Sequence, residues 1–129
     1  MNNDASDFWT RARQALITAN ALRSQDPDAA ASRAYYAAFY AVSAHFAGQG
    51  KFFTKHSGIE TAVHRDLVRS GFLSADLGAG YSSLVNLRTT GDYGGGAHVS
   101  EQDAQMACET AACIVAAIAK INPDFETKI

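Results

Sequence analysis

The sequence predicts an all-α protein, an antiparallel up-and-down bundle of four long helices and one shorter helix. Three observations carry this prediction: alanine is abundant throughout, no stretch alternates apolar with polar residues, and apolar residues recur at helical spacing in five segments joined by short loops. With 129 residues, of which 47% are hydrophobic, the chain has the size of one domain and can bury a core without disulfide bonds. We therefore treat residues 1–129 as a single helical domain.

The first helix is predicted over residues 4–24, because apolar side chains recur there on one face. Ser6 or Asp7 is expected to cap its N-terminus, since a short polar side chain accepts hydrogen bonds from the free N–H groups of the first turn. Trp9 is expected to anchor this helix in the core.

Asp26 and Pro27 predict the start of the second helix, as N-cap and first helical residue, and the helix runs to about Ala47. Gly48 is expected to end it in the left-handed conformation. Small residues stand between aromatic ones along this helix, a pattern typical of close packing on several sides. His45, near its end, is expected to be partly buried with a local hydrogen-bond partner.

The third and fourth helices are predicted over residues 56–70 and 75–88, from their apolar periodicity. Gly71 is expected to end the third helix. The fourth is expected to end before the three consecutive glycines at 94–96, which we interpret as a hinge because glycine is costly to order. The outer face of the third helix is basic, since residues 51–69 carry a net charge of +2 without their histidines.

The last helix is predicted from a cap at Ser100, with Asp103 completing an approximate capping box, and Pro123 ends it. Cys108 and Cys113 lie on this helix about 140° apart around its axis, so they cannot form a disulfide without unwinding it. We expect both cysteines to be small core residues in a reducing compartment.

Charge and composition exclude several classes of protein. The net charge of −2 argues against binding nucleic acid through bulk charge, so such a role must depend on a local patch or a groove between subunits. Two cysteines and four dispersed histidines fall short of a zinc site, and we expect neither a metal nor a cofactor. No run approaches about 20 apolar residues, and the N-terminus is polar and acidic. We expect a cytoplasmic protein without membrane association.

Four motifs carry a family resemblance. The segment SRAYYAAFYA at residues 32–41 resembles the second-helix signature of HEPN domains (higher eukaryotes and prokaryotes nucleotide-binding). The strings KHSGI at 55–59, LR at 87–88 and DYG at 92–94 follow in the order of that family, and the similarity extends from about residue 12 to 118.

The resemblance implies a helical bundle that frequently forms a homodimer with a groove between the two protomers. It also implies an RNA or nucleotide ligand. Many members of the family are metal-independent endoribonucleases, or toxins paired with a minimal nucleotidyltransferase antitoxin, and others have lost catalysis.

The catalytic pattern of the family is an arginine followed, after four to six residues, by a histidine. Arginine can hold the scissile phosphate by paired hydrogen bonds, and histidine can move the 2′-hydroxyl proton at neutral pH. Arg88 matches the first position, but Tyr93 stands where the histidine is expected, and His98 comes ten positions after Arg88. The catalytic candidates are therefore Arg88 with His98, and His56 is the alternative base. Since a phenol has a pKa near 10, Tyr93 is a poor base, and binding is favoured over catalysis.

The candidate ligand-binding residues surround Arg88 in this interpretation; they are Arg88, Asp92, Tyr93, Lys55, His56, Arg33 and Tyr36. Each has a structural alternative. Arg88 and Asp92 can form a local ion pair, and Tyr93 can pack over the end of the bundle. Arg33, Tyr36 and Tyr40 share a helix face that suits either a core or dimer contact or a nucleotide groove. Residues 55–57 open a helix, where His56 or Ser57 can cap it or the helix end can bind a phosphate.

The function predicted from the sequence is a HEPN-type RNA- or nucleotide-binding protein, the toxin-like member of a pair with a nucleotidyltransferase antitoxin. Two alternatives remain open. One is a non-catalytic helical module that binds a partner protein. The other is a metal-independent endoribonuclease that uses His98 or His56 together with Arg88.

Overall fold

The protein is described by a computed structural model that covers residues 2–127 and contains six α-helices. Within residues 2–127 no β-strand forms, and the predicted bundle of four long helices and one shorter helix is confirmed. The helices are α1 (Asn3–Leu22), α2 (Pro27–Gly48), α3 (His56–Ala62), α4 (Ala75–Tyr93), α5 (Glu101–Ile121) and α6 (Asp124–Thr127). A π-helical segment, Val63–Val68, continues α3, and the four-residue α6 was not predicted.

Helix α2 is the centre of the bundle, since α1, α4 and α5 all pack against it. Its alanines allow this close packing. The fully buried positions of α2 include residues with a single methyl side chain on several sides of the helix: Ala30, Ala31, Ala34, Ala37, Ala38, Ala41, Ala44 and Ala47. The larger core side chains, among them Tyr35, Tyr81 and Phe46, fill the space between these contacts.

The start of α1 differs from the prediction. Asn2 is the N-cap, and its side-chain oxygen accepts a hydrogen bond from the Ala5 N–H at 2.8 Å. Ser6 and Asp7 lie inside the helix. The Asn2 amide also donates to the Ala47 carbonyl oxygen at 2.9 Å, so a contact with the end of α2 selects the earlier cap.

Two helix ends also differ from the prediction. Gly48 is still helical, and the left-handed residue is Gly50, with φ of 74°. Helix α4 continues past Arg88 to Tyr93. It passes so close to α2 at Gly91 that a Cβ there would lie 2.6 Å from the Asp28 carbonyl oxygen. The predicted ends at Gly71 and the caps at Asp26 and Ser100 are confirmed.

The predicted anchor Trp9 is confirmed, because its side chain is 3% exposed and its ring packs 5.0 Å from that of Phe125. The cysteine prediction is correct for Cys108, which is buried, and wrong for Cys113, which is exposed. The difference follows from their angular separation on α5, since the same helix cannot turn both positions toward α2.

Helix α5 is long and apolar enough to cross a membrane by length and composition alone, a property that the sequence expectations did not include. A core helix passes the same test, and one face of α5 is buried against α2 and α4. The absence of membrane association stays a prediction.

His45 lies at the end of α2 and is buried, beyond the partial burial expected for it. Its closest hydrogen-bond partner is not local, because the amide that donates to its Nδ1 at 2.9 Å belongs to Asn122, 77 positions along the chain. Burial lowers the pKa of His45 from 6.5, and the charge of Lys51 lowers it further. Burial also lowers the pKa of His56.

These lowered pKa values predict that the protein loses stability in mild acid. Below pH of about 6.5 the unfolded chain takes up protons at these histidines that the folded chain does not. The free energy of unfolding therefore decreases as the pH decreases, until the folded histidines also take up protons. Urea unfolding at pH 7.5 and 5.5 measures the difference. It should be smaller in His45→Gln, because the amide does not titrate; an unchanged difference would contradict the role of His45.

Candidate functional site

Arg88 is the centre of the candidate site, where α4 faces α2. Its Nη2 donates a hydrogen bond to the Tyr36 hydroxyl at 3.0 Å. Its guanidinium carbon lies 5.5 Å from the centre of the Tyr36 ring, 5.7 Å from Tyr35 and 5.4 Å from Tyr93. We name this group, together with Asp92 and His56, the Arg88 cluster.

The predicted ion pair between Arg88 and Asp92 is present, with Nε 3.0 Å from Oδ2. The Nε–H does not point along a hydrogen bond at this oxygen, so the contact is mainly electrostatic. Asp92 also accepts a hydrogen bond from the Ser32 hydroxyl at 3.3 Å, which ties this turn of α4 to α2. Burial lowers the pKa of Arg88, but Tyr36, Tyr93 and Asp92 outweigh it and raise the pKa overall, so the guanidinium is always charged.

His56 is held beside Arg88 by aromatic side chains of α2. Its ring stacks on Phe39 with centres 4.3 Å apart and meets Tyr36 edge-on at 5.8 Å. The Tyr35 hydroxyl lies 2.7 Å from His56 Nδ1. Burial raises the pKa of Tyr35 to about 12, so the phenol stays protonated and its O–H donates a hydrogen bond to Nδ1.

The same environment sets the charge of His56. Burial lowers its pKa, and the nearby charge of Arg88 lowers it further. The imidazole is therefore neutral at pH 7, and with Nδ1 accepting from Tyr35 its proton sits on Nε2. The expected helix cap is wrong: Lys55 is the N-cap of α3 and no side chain caps it, because His56 turns toward Tyr35 instead.

Two further cations border the cluster. The guanidinium carbon of Arg33 lies 4.7 Å from the centre of the Tyr36 ring, so two arginines lie within about 6 Å of this ring. Lys55 is exposed at the start of α3, directly before His56. Within residues 2–127 neither Arg33 nor Lys55 has a carboxylate within 4.0 Å. Together with Arg88 they outnumber Asp92, so the cluster favours an anion.

Tyr93 is the last residue of α4, and its side chain is 71% exposed. The expectation that it packs over the end of the bundle is wrong, because the ring is mostly exposed, with the guanidinium carbon of Arg88 5.4 Å from its centre. The Gly94 N–H donates to the Thr90 oxygen at 2.9 Å and completes the last turn of α4. The glycines that follow form a turn, in which the Ala97 N–H donates to the Gly94 oxygen at 2.9 Å and Gly95 has φ of 61°.

His98 is held by Asp28, near the start of α2. Its Nδ1 lies 2.7 Å from the Asp28 carboxylate, which also accepts from the Val99 N–H at 2.7 Å. These two hydrogen bonds, with the backbone bond the larger cause, lower the pKa of Asp28. Among the contacts of residues 2–127 none joins His98 to Arg88, so of the two histidines only His56 lies in the cluster.

Sequence reasoning did not single out Tyr35 or Phe39, which hold His56. Both lie in the segment 32–41, but their roles depend on how α3 crosses α2, and no periodicity in the sequence reports that. In the described part of the chain, no three histidine, cysteine or acidic side chains come together in an arrangement that could hold a metal.

The comparison with known families decides the identity of the fold. The family model of the HEPN domain matches residues 5–121, nearly the whole chain. The chain belongs to the HEPN family. This HEPN protein is 34% identical over 122 residues to a UPF0332 protein of Thermotoga maritima, covering 93% of this chain and 92% of the relative. It is 33% identical over 108 residues to a UPF0332 protein of Gloeobacter violaceus, covering 82% and 86% of the two chains.

A solved structure agrees with the fold. The crystal structure of TT1696 from Thermus thermophilus superimposes with a TM-score of 0.79 at 23% identity, over 92% of this chain and 98% of that one. The resemblance found in the sequence is thereby confirmed at the level of family and fold. Membership of the HEPN family supports a nucleotide- or RNA-related role.

Proposed function

We propose that this HEPN protein binds RNA or a nucleotide at the Arg88 cluster and does not cleave it. The observation that carries the proposal is the convergence of Arg88, Tyr36 and His56 on one surface, with Tyr93 exposed beside them. Cations for phosphate and open aromatic faces for bases are the two elements that single-stranded nucleic acid requires.

Each group has a distinct part in binding. Arg88 uses one Nη2–H for Tyr36 and holds Nε 3.0 Å from Asp92, which leaves further N–H donors for a phosphate oxygen. The Tyr36 hydroxyl and Asp92 hold the guanidinium in place, so less side-chain entropy is lost on binding. Tyr93, which is exposed, can stack on a base, and Lys55 and His56 extend the polar surface.

The wider biological role follows the family resemblance. We propose that two copies form a homodimer and bring two Arg88 clusters to one groove. We further propose that the protein is the toxin-like member of a pair with a nucleotidyltransferase antitoxin, in the cytoplasm. A protein-interaction module that never binds RNA is less favoured, because it does not account for Arg88 and Arg33 lying against the same Tyr36 ring.

One observation favours a second candidate function, metal-independent RNA cleavage. His56 is neutral at pH 7 and lies near Arg88, so its ring could accept the 2′-hydroxyl proton while the 2′-oxygen attacks phosphorus. The bond from phosphorus to the 5′-oxygen would break and this oxygen would take a proton from water, leaving a 2′,3′-cyclic phosphate and a 5′-hydroxyl. We favour binding, because Tyr35 already occupies Nδ1 of His56 and because Tyr93 stands where the catalytic pattern requires a histidine.

Removal of the Arg88 guanidinium tests the binding proposal. A titration of fluorescently labelled single-stranded RNA, followed by anisotropy, should show about tenfold to a hundredfold weaker binding for Arg88→Ala than for the unchanged protein, the range expected when hydrogen bonds to a charged group are removed. Binding should also weaken with salt, and the slope against log salt should fall by about 0.7 for each phosphate that the variant no longer neutralises.

Arg11→Ala is the matched control, since Arg11 is an exposed cation of α1 outside the cluster. It removes the same charge and should bind RNA as the unchanged protein does. Equal RNA affinity of the Arg88→Ala and Arg11→Ala proteins would contradict the proposal.

A further inference from the structure

A cavity lies beside the π-helical segment and shares no residue with the Arg88 cluster. Its volume is about 370 Å³, and the end of α2, the loop after it and the residues that follow α3 line it. On α2 it begins at His45, nine residues beyond Tyr36, or about 13 Å along the helix axis. The two sites are therefore separate surfaces of the same bundle.

The walls of this cavity carry an excess of positive charge. Lys51, Arg65 and Arg69 line it, against the single carboxylate of Asp66. Arg65 is paired, since its Nε and Nη2 each donate a hydrogen bond of 2.9 Å to Asp66. Within residues 2–127 Lys51 and Arg69 have no carboxylate within ion-pair distance, so two positive charges face the cavity unbalanced.

The π-helical segment shapes this wall. Its wider turn is closed by a hydrogen bond from the Arg69 N–H to the carbonyl oxygen of His64, five residues earlier, at 3.2 Å. Arg65 and Arg69 lie four residues apart on this segment and line the same cavity. Single π-turns inside α-helices occur frequently at functional sites.

The rim of the cavity is aromatic. Phe72 lines it with 52% of its surface exposed, although a large apolar side chain is usually covered in a folded protein. The buried Phe46 also lines the cavity. A ligand with a flat apolar part would therefore find an open aromatic face next to two free cations.

We propose that this cavity binds a small organic phosphate that carries a planar ring, with Lys51 and Arg69 on the phosphate and Phe72 against the ring. Two unbalanced cations match the two charges of a phosphomonoester, and Arg69 offers the planar donors that suit phosphate oxygens. The cavity volume falls within the range of small-molecule sites, about 300–1,000 Å³, which favours a small ligand over a polymer backbone. This proposal is independent of RNA binding at the Arg88 cluster.

Phenyl phosphate is the probe. His45 lines the cavity, so the nuclear magnetic resonance signals of its ring report binding. We expect saturable shifts of these signals in the unchanged protein. The double variant Lys51→Ala, Arg69→Ala should bind at least about tenfold more weakly, because it removes both charged donors. Arg11→Ala and Arg88→Ala should leave the shifts of the His45 signals on adding phenyl phosphate unchanged. Far-ultraviolet circular dichroism confirms that each variant is folded.

Phe72→Ala separates the two parts of the ligand. It should weaken the binding of phenyl phosphate and leave that of inorganic phosphate unchanged, and phenyl phosphate should bind more tightly than inorganic phosphate in the unchanged protein. Loss of the His45 shifts in Arg88→Ala would assign the ligand to the other site and overturn the proposal. Unchanged binding in the double variant would overturn it too, as would equal binding of the two phosphates.

Discussion

Replacement of Tyr35 by alanine is expected to lower the free energy of unfolding by about 3–5 kcal/mol, the range for removal of a buried aromatic ring. Tyr35 is 1% exposed, and its ring contacts those of Tyr36, Phe39, His56 and Tyr81. These neighbours come from α2, α3 and α4, so the cavity left by the substitution cannot close without moving a helix. Urea unfolding followed by circular dichroism measures the loss.

Tyr35→Phe is the matched comparison, because it keeps the ring and removes only the hydroxyl that donates to His56. It should cost about 1 kcal/mol, the usual net contribution of one hydrogen bond. A loss of less than about 1.5 kcal/mol for Tyr35→Ala would show that the aromatic group is not the tightly packed support of the site described above.

Gly91→Ala is expected to destabilise the protein by about 1–3 kcal/mol, although alanine is the better helix former. The added Cβ would lie 2.6 Å from the carbonyl oxygen of Asp28, and backbone cannot rotate away as a side chain can. Helix α4 must therefore shift from the start of α2. The shift would strain the hydrogen bonds from Ser32 to Asp92 and from Arg88 to Tyr36, so RNA affinity should fall as well.

Gly48→Ala provides the control for this substitution. Gly48 is helical too, and a Cβ there would meet nothing within 4 Å. It should leave the midpoint of thermal unfolding unchanged or raise it. If Gly91→Ala raised the midpoint to the same extent, the close approach of α4 to α2 would be contradicted.

The sequence predicted those parts of the fold that depend on local interactions. The caps at Asp26 and Ser100 are confirmed because a cap needs only the first turn of its own helix. The start of α1 at Asn2 was missed because its amide contacts Ala47, far along the chain. The end of α4 was missed for a similar reason: Gly91, a helix breaker by propensity, is helical where only a glycine fits against α2.

The candidate site divides in the same way. Arg88 and Asp92 were predicted as an ion pair, since they lie four residues apart on one helix. The hydrogen bond from Arg88 to Tyr36 spans 52 positions, and only the family resemblance brought these two residues into one hypothesis. The hydrogen bond from Tyr35 to His56 was predicted neither from the spacing of the residues nor from the family resemblance. The position of His98 depends on Asp28, a partner that no pattern in the sequence marks.

The most direct test of binding without cleavage is one incubation of labelled single-stranded RNA with the unchanged protein and with Arg88→Ala, in the absence of metal ions. Half of each sample is passed through a protein-retaining filter, and half is run on a denaturing gel. We predict that the unchanged protein retains intact RNA and that Arg88→Ala retains much less of it. Shortened RNA from the unchanged protein alone would contradict this account and favour cleavage with His56, and no retention by either protein would contradict RNA binding at the Arg88 cluster.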